Sequence, residues 1–321
     1  MRWFQRMLAA AILSVSALAA TVGASYGQAP DKVVRIGYQK YGKLVLLKGK
    51  GSLEEKLKGV GYKVVWTEFP SGPPLLEALN VGAIDFGNTG EAPPIFAQAA
   101  GAPIQYVAYE PPAPKGEAIL VPKDSPLKSV ADLRGKKVAL NKGSNVHYLL
   151  VKALEKAGVP YAAIQPVFLP PADARAAFEK GAVDAWVIWD PFFAAAEKQL
   201  GARILADGSG LVSNHQFYLA SRGYAEKHPQ VVQAIVEELA RLDAWAEKNP
   251  KDVASLLAPQ IGLPAEITEI AAGRFAYGIK PISPAVAVEQ QKIADAFFEL
   301  KLIPKPIRIS DALPGKTVAA K

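Results

Sequence analysis

Two periodicities of apolar and polar residues alternate along most of this chain. Short apolar runs, such as residues 33–38 and 117–121, have the composition of buried strands. Residues 146–157 instead place apolar side chains at intervals of three and four, which is typical of one helix face. Strand and helix patterns succeed each other as far as Leu205, and from Tyr224 onward the pattern is mostly helical. The chain therefore predicts an α/β fold.

The most informative stretch is the polar turn at residues 142–147. It joins a predicted strand to a helix that is expected to end near Gly158. The N–H groups at a helix N-terminus attract anions, because orphan donors and the helix dipole act together. Gly143 permits close approach of a ligand, and Ser144 and Asn145 add side-chain donors. The alternative is that Ser144 or Asn145 only caps the helix.

Other junctions also place polar or aromatic residues just after a predicted strand. Residues 88–91 follow one strand and open a helix, with Thr89 as its expected N-cap. Gln39 follows the first strand, where open α/β sheets bind ligands. Trp189 ends a later strand, and Asp190 is expected to cap the next helix. The alternative for these residues is ordinary turn and cap chemistry.

Two segments interrupt the strand–helix pattern. Residues 110–116 contain three prolines in four positions, which makes a stiff extended connector. Residues 207–214 are polar and glycine-rich. Residues 77–85 and 177–184 resemble each other, because in each a helix ends at glycine and an aspartate leads into a strand. We therefore expect two similar α/β lobes joined by two crossovers.

The N-terminus has the features of a secretory signal peptide. Arg2 and Arg6 precede an apolar run that is too short to span a bilayer comfortably, and small residues follow it. We assign residues 1–29 to this signal. Without Arg2 and Arg6, the formal net charge falls from +7 to +5. The 321 residues suffice for two domains of ordinary size.

Composition excludes several classes of site. The chain has no cysteine, which excludes disulfides, thiolate metal sites, a cysteine nucleophile and a lipid-modified N-terminal cysteine. Its three histidines show no metal-ligand spacing, so we expect no metal and no cofactor. Lysines scattered among glutamates indicate a solvated surface and no nucleic-acid partner. No Gly-x-Ser-x-Gly elbow of a hydrolase follows the signal peptide, and we expect no enzymatic activity.

Several motifs resemble those of a known family in their order along the chain. After the signal peptide they are Ile36–Lys40, Asn88–Ala92, Lys142–His147, Pro171–Phe178 and Trp189–Pro191. Together they resemble the aliphatic sulfonate-binding proteins of bacterial ABC importers, within a broader group that includes taurine- and nitrate-binding proteins. The resemblance covers nearly the whole mature chain.

The resemblance implies a two-lobed periplasmic binding protein (type II-like). Each lobe is then a mixed sheet flanked by helices, with the ligand cleft between the lobes. Lobe 1 is expected to comprise residues 30–115 and 215–321, and lobe 2 residues 116–214. Hinge closure on an alkanesulfonate, in the manner of a Venus flytrap, is implied. The resemblance further implies a soluble periplasmic monomer that delivers its ligand to an ABC permease and its ATPase.

The motifs and the resemblance define the expected ligand-binding residues, which are Gln39, Thr89, Gly90, Glu91, Gly143, Ser144, Asn145, His147, Trp189 and Asp190. Glu91 repels a sulfonate, so it fits either a hinge role or contact with a ligand hydroxyl or ammonium. His147 fits ligand contact or packing on its helix, and Trp189 fits an alkyl or aryl cover or a core position. Alternative functions are a receptor for taurine, a sulfate ester or nitrate, and a ligand-sensing subunit of a signalling system.

Overall fold

The structure, a computed structural model, describes residues 32–315. In this range eleven strands form two separate mixed sheets, of six and five strands, and helices flank both. The predicted two-lobed α/β fold is confirmed. The expected signal peptide, residues 1–29, lies outside the described residues. No helix between residues 32 and 315 has both the length and the apolar character that a membrane span needs.

Six strands form the first sheet: β1 (Lys32–Tyr38), β2 (Tyr62–Glu68), β3 (Phe86–Gly90), β4 (Ile104–Tyr109), β10 (Gln216–Ser221) and β11 (Lys280–Pro281). Their spatial order is β11-β4-β10-β3-β1-β2. β1 and β3 are parallel, whereas β10 is antiparallel to both β3 and β4. The chain thus returns to the first sheet after it has completed the second.

Five strands form the second sheet: β5 (Glu117–Val121), β6 (Lys137–Leu140), β7 (Gln165–Phe168), β8 (Ala185–Trp189) and β9 (Arg203–Asp207). Their spatial order is β7-β6-β8-β5-β9. β6 is parallel to β7 and β8, and β5 is antiparallel to β8 and β9.

The α-helices of the described chain are α1 (Lys43–Lys50), α2 (Ser52–Lys58), α3 (Gly72–Asn80), α4 (Pro93–Ala99), α5 (Asn145–Lys156), α6 (Pro171–Glu179), α7 (Phe192–Leu200), α8 (Arg222–Lys227), α9 (Pro229–Lys248), α10 (Pro250–Ile261), α11 (Ala265–Ala272) and α12 (Pro284–Glu299). The first sheet has an apolar core on each face. Tyr218 and Ala220 of β10 join one core, and Phe217 and Leu219 join the other, because successive strand residues point to opposite faces.

The chain changes sheet at residues 110–116 and again at 208–215. The two segments are hydrogen-bonded to each other: the Ala113 N–H donates to the Ser213 oxygen at 3.0 Å. The Asn214 amide donates to the Ala113 oxygen at 2.9 Å. These bonds place both connections side by side, as a hinge requires. The lobe boundaries drawn from the sequence stay a prediction.

The two resembling stretches form the same local structure, one in each sheet. The Asp85 carboxylate accepts from the Arg35 N–H at 2.8 Å, and the Asp184 carboxylate accepts from the Lys137 N–H at 2.8 Å. Each aspartate therefore binds the backbone of the neighbouring parallel strand. Asp85 also forms a salt bridge with the Arg35 side chain at 2.6 Å.

Two predicted helix starts are wrong by a few residues. Thr89 was expected at an N-cap, but it lies inside β3, which continues to Gly90 because β10 pairs with it. Asp190 was expected at an N-cap, but α7 begins at Phe192. The Asp190 carboxylate still accepts from the Ala194 N–H at 3.0 Å, so it stabilises the helix start from one position further out.

Candidate functional site

Two adjoining cavities are lined by residues from both sheets and share Gln39, Tyr41 and Trp189. The smaller one, called the polar cavity below, has a volume of about 20 Å³. Its lining residues are Gln39, Tyr41, Gly72, Asn88, Gly90, Pro93, Gly116, Asn145, Trp189, Asn214 and Gln216. The larger one, called the apolar cavity below, has a volume of about 300 Å³.

The polar cavity has no charged side chain in its lining, only hydroxyl, amide, apolar and backbone groups. The Gln39 amide donates to the Asn88 backbone oxygen at 3.1 Å. The absence of a side chain at Gly116 keeps space open, since a Cβ there would lie 3.6 Å from the Tyr41 hydroxyl and 3.5 Å from Asn214 Nδ2. A ligand group in this cavity therefore meets neutral dipoles.

The apolar cavity is lined mainly by aromatic, aliphatic and proline side chains, which are Phe69, Pro70, Pro170, Pro171, Trp189, Phe192, Ala195, Ile261 and Leu263. Its charged lining residues have partners within the protein. Lys40 Nζ lies 3.8 Å from a Glu68 carboxylate oxygen. Arg175 donates to Glu179 at 2.7 Å and to Gln199 at 2.8 Å. The walls thus suit an apolar group.

The turn before α5 uses its donors inside the protein. Gly143 has φ +73°, and its N–H donates to His147 Nδ1 at 3.2 Å. The Ser144 hydroxyl donates to the Asn141 oxygen at 2.7 Å. Ser144 is the N-cap of α5 but makes no capping bond with its side chain. The two groups that were expected to hold an anion are therefore engaged with residues of the same turn.

Asn145 joins the two sides of the cleft. Its amide nitrogen donates to Glu117 Oε2 and to Asn214 Oδ1, the second bond being 3.1 Å long. Its side chain also covers Gly90, where a Cβ would lie only 2.9 Å from the Asn145 Cβ and Cγ atoms. Both amide hydrogens are used within the protein, so Asn145 has no free donor for the polar cavity.

His147 is fully buried beside the cleft. Its Nδ1 accepts from Gly143, so its Nε2 carries the hydrogen and donates to the Tyr161 hydroxyl at 2.9 Å. The ring packs on Phe297, with 5.8 Å between centroids. Burial, and secondarily the Lys142 charge, lowers the pKa of His147 to about 4. His147 is therefore neutral at physiological pH and lines neither cavity.

The corresponding turn of the first sheet contains Thr89 and Glu91, both fully buried. The Thr89 hydroxyl donates to the Gly90 oxygen at 3.0 Å. Glu91 Oε2 accepts from the His215 N–H at 3.0 Å, and Glu91 Oε1 has no hydrogen-bond partner. Burial raises the pKa of Glu91 to about 7, although the backbone N–H groups of His215 and Asn214 oppose the shift.

Asp190 links the second sheet to the C-terminal helices. It is fully buried, and Arg274, which follows α11, approaches its two oxygens at 3.2 and 3.3 Å. Arg274 also pairs with Glu197 of α7 at 2.6 Å. Burial raises the pKa of Asp190 to about 6, while Arg274 opposes the shift. Asp190 therefore has a structural partner and lines neither cavity.

The structure brings four of the ten predicted ligand-binding residues together around the polar cavity: Gln39, Gly90, Asn145 and Trp189. The remaining six lie in the elements around it without lining either cavity: Thr89, Glu91, Gly143, Ser144, His147 and Asp190. Contact with a ligand stays a prediction for all ten.

Sequence reasoning omitted several lining residues. Tyr41 lies two positions after Gln39, so the same strand end indicates it. Asn214 lies in the polar crossover and has φ +50°, a conformation that Asn tolerates better than most residues. No local sequence pattern indicates that Gln216 belongs to the site, because only the pairing of β10 with β3 brings it opposite Gly90.

Comparisons with known proteins identify relatives of this chain. A family model described as "NMT1/THI5 like" matches residues 67–253. The aliphatic sulfonates-binding protein of Escherichia coli (strain K12) is 47% identical over 311 residues, which cover 96% of this chain and 95% of that protein. The structure of the alkanesulfonate-binding protein SsuA from Xanthomonas axonopodis pv. citri, bound to MOPS, is similar with a TM-score of 0.84 at 43% identity, covering 88% of this chain and 97% of that chain. The structure of the periplasmic aliphatic sulphonate binding protein SsuA from Escherichia coli is similar with a TM-score of 0.80 at 46% identity. The match covers 90% of this chain and 94% of that chain.

Proposed function

Because this chain belongs to the aliphatic sulfonate-binding protein family, we propose that it is the periplasmic solute-binding component of an ABC importer for aliphatic sulfonates. The observation that carries the proposal is the pair of adjoining cavities, one polar and uncharged, the other apolar. An alkanesulfonate has the same two parts, an anionic head and an apolar tail. Trp189 lines both cavities, which supports our placing it beside the junction of the head and the tail.

The head group belongs in the polar cavity. A sulfonate is fully ionised and offers no proton, so it needs donors only, and neutral hydroxyl and amide groups such as Tyr41 and Asn88 supply them. A volume of about 20 Å³ holds roughly one water molecule. A sulfonate therefore enters while the lobes are apart, and its oxygens then meet groups from both lobes.

The tail belongs in the apolar cavity, against Trp189 and Phe192. Each buried methylene contributes about 0.8 kcal/mol. We therefore expect affinity to rise from methanesulfonate to longer alkanesulfonates and to level off once the cavity is filled. Replacing Phe192 with alanine should flatten this increase, which calorimetry on the chain-length series measures.

Titration calorimetry tests the ligand class. We expect micromolar or tighter binding of ethanesulfonate, about −8 kcal/mol or better. Taurine, a sulfate ester, nitrate and sulfate are the competitors, and the buffer must itself contain no sulfonate, since a relative binds MOPS. Stronger binding of nitrate or of a cationic solute would overturn the proposal.

Closure of the lobes is the proposed signal to the permease and its ATPase. A ligand that contacts both lobes has higher affinity for the closed state and so shifts the population towards it. Small-angle scattering should show a smaller radius of gyration with saturating ethanesulfonate than without it. An unchanged radius would require a different mechanism of delivery.

The proposed location and the binding role have separate tests. Fractionation of the host should place the mature chain in the soluble periplasmic fraction, and retention in the cytoplasm would contradict the proposal. Ethanesulfonate recovered after long incubation should be chemically unchanged by mass spectrometry, as expected of a receptor that performs no catalysis.

A further inference from the structure

Two buried carboxyl groups meet at the hinge without a compensating charge. Glu91 directly follows β3 of the first sheet, and Glu117 is the first residue of β5 in the second. Both side chains are fully buried. In each, Oε1 is buried and has no hydrogen-bond partner. Two ionised carboxylates in these positions would repel each other and any anion in the adjacent cleft.

The buried cations of the described chain pair with other carboxylates. Lys43 Nζ lies 2.7 Å from Glu110 and 3.2 Å from Asp243. Arg274, which is only partly buried, pairs with Asp190. Among residues 32–315, no salt bridge includes Glu91 or Glu117, so their charge is not balanced by the protein.

The groups around Glu91 act on its pKa in opposite directions: burial raises it most, and the backbone N–H groups of His215 and Asn214 lower it. The Glu289 carboxylate of α12 raises the pKa of Glu91 further. Tyr148 of α5 has its own pKa raised to about 12 by burial and is neutral. The His215 backbone N–H donates to Glu91, but its ring is directed to the Glu110 oxygen at 2.8 Å and to Glu289 at 3.3 Å. Lys292 lines the same cavity as Glu91, on the side of α12, but it is exposed.

Glu117 has fewer neighbours. Its Oε2 accepts from the Asn145 amide, and Glu91 is the charged group that acts on it. Burial raises the pKa of Glu117 most, Glu91 raises it further, and Asn145 opposes the shift. A protonated Glu117 still accepts the Asn145 bond through its carbonyl oxygen, so the proton leaves Asn145 in place against Gly90 of the other lobe.

Neither carboxyl group of the pair lines the two cavities in which we place the ligand. Glu117 lines neither the polar nor the apolar cavity. Glu91 borders only a separate cavity of about 290 Å³ on the side of α12. A proton is therefore the compensating charge that both carboxyl groups accept without a change in packing.

We propose that closure of the cleft on a sulfonate takes up a proton from solvent onto the Glu91–Glu117 pair. The inference rests on the proposed function, since it requires an anion that closes the cleft. In the open state Gly90 moves away from Asn145, which separates Glu91 of the first lobe from Glu117 of the second and lets water reach both carboxyl groups, so both ionise. In the closed state a carboxylate oxygen of the pair forms an O–H bond with the proton, which removes the repulsion of the bound anion.

The direction of the pH dependence follows from linkage. A carboxyl group whose pKa is higher in the closed state than in the open state binds more protons on closing. The closed, ligand-bound state is therefore favoured at low pH and loses its advantage as the pH rises above the ordinary glutamate value of about 4.3. One proton per ligand makes the dissociation constant rise about tenfold for each pH unit.

Calorimetry of the full mature chain with ethanesulfonate tests the proposal. Titrations in phosphate and in Tris differ in apparent enthalpy in proportion to the protons taken up from the buffer, and we expect about one proton or more per ligand near neutral pH. The dissociation constant should rise as the pH increases from the ordinary glutamate pKa of about 4.3 through the pKa of about 7 that burial gives Glu91. Taurine should give the same proton uptake, because its ammonium does not reach Glu117.

Variants identify the group. Glu117→Gln has the shape of the protonated acid, so it should abolish most of the proton uptake while it keeps the low-pH affinity. Glu91→Gln should reduce the uptake by a smaller amount. Glu77→Gln, at an exposed position of α3, is the matched control and should leave both quantities unchanged.

The outcomes separate this inference from the proposed function. Tight ethanesulfonate binding with a buffer-independent enthalpy and a constant dissociation constant would overturn the proton uptake and leave the receptor function standing. Proton uptake that persists in both glutamine variants would also overturn it, since another group would then be responsible. No ethanesulfonate binding at any pH would overturn the proposed function itself.

Discussion

The two turns that meet across the cleft have similar sequence patterns and different hydrogen bonding. In the second sheet, the turn Gly143-Ser144-Asn145 has its three expected donors engaged by neighbouring groups. In the first sheet, Asn88 Oδ1 and Glu91 Oε1 are buried without partners. One turn is thus internally satisfied and the other is not. Both unpartnered atoms are acceptors, so this turn gains from a proton or a donor and not from the oxygens of an ionised sulfonate.

This difference shows what a glycine-rich turn before a helix can and cannot indicate. Its position predicts the edge of the sheet where ligands bind. Whether its donors are free depends on partners that lie elsewhere. His147 is only one helical turn away, whereas Glu117 and Asn214 come from β5 and from the second crossover. The turn of the second sheet therefore acts as the rigid side of the contact.

The largest expected effect comes from charging the rigid side. Asn145→Asp removes the donor to Glu117 and places a third carboxyl group beside the Glu91–Glu117 pair. An uncompensated buried charge costs about 3–5 kcal/mol. We expect the free energy of unfolding and the affinity for ethanesulfonate both to fall, and to recover partly at low pH. The exposed control Asn80→Asp should stay within about 0.5 kcal/mol of wild type. Equal behaviour of the two variants would contradict the role given to Asn145.

The pH dependence of His147 tests whether the rigid turn depends on a neutral ring. Its folded-state pKa of about 4 lies below the unfolded value of about 6.5. The unfolded state therefore binds more protons between these values, so stability is complete above about pH 6.5 and is lost as the pH falls towards 4. The loss attributable to His147 is about 3 kcal/mol.

Urea unfolding of wild type and His147→Gln at several pH values measures this loss. The stability difference between the two proteins should shrink as the pH falls through this window. Tyr161→Phe removes only the partner of Nε2, so it should retain the pH slope. A difference that is constant with pH would show that protonation of His147 does not destabilise the fold.

The sequence predicted the parts of the molecule that depend on local pattern. The α/β alternation, the two-lobed division and the paired junctions at Asp85 and Asp184 all follow from short stretches. The sequence failed where distant residues meet. β3 continues through Thr89 because β10 supplies a partner from more than a hundred residues away. Local periodicity also contains no information that would place Asn214 between Asn145 and Ala113.

Gly90→Ala tests the contact between the two turns directly. The new Cβ would lie 2.9 Å from Asn145, closer than nonbonded carbon atoms approach, and the strand conformation of Gly90 itself accepts alanine. Overpacking of this kind costs about 1–3 kcal/mol. We expect most of that cost in the affinity for ethanesulfonate, because the lobes separate to relieve it. Gly223→Ala, which meets open space, is the control. Unchanged affinity in Gly90→Ala would mean that the two turns do not need to touch.

Ser144→Ala has the smallest expected effect and decides between two roles for this hydroxyl. If it binds the ligand, as its position before α5 suggests, its loss weakens ethanesulfonate binding by about 1 kcal/mol and leaves stability nearly unchanged. In the structure, however, the one hydroxyl hydrogen goes to the Asn141 oxygen at 2.7 Å, and Ser144 is 1% exposed. We therefore expect the variant to lose stability and to keep its affinity. The free energy of unfolding should fall by about 1 kcal/mol, and the dissociation constant for ethanesulfonate should be nearly unchanged. Ser129→Ala removes a hydroxyl that bonds Asp132 at the start of another helical turn. It should likewise lower the free energy of unfolding and leave the dissociation constant unchanged. A fall in affinity for Ser144→Ala alone would show that the hydroxyl turns from Asn141 to the ligand when the cleft closes, and the rigid turn would then be a binding turn as well.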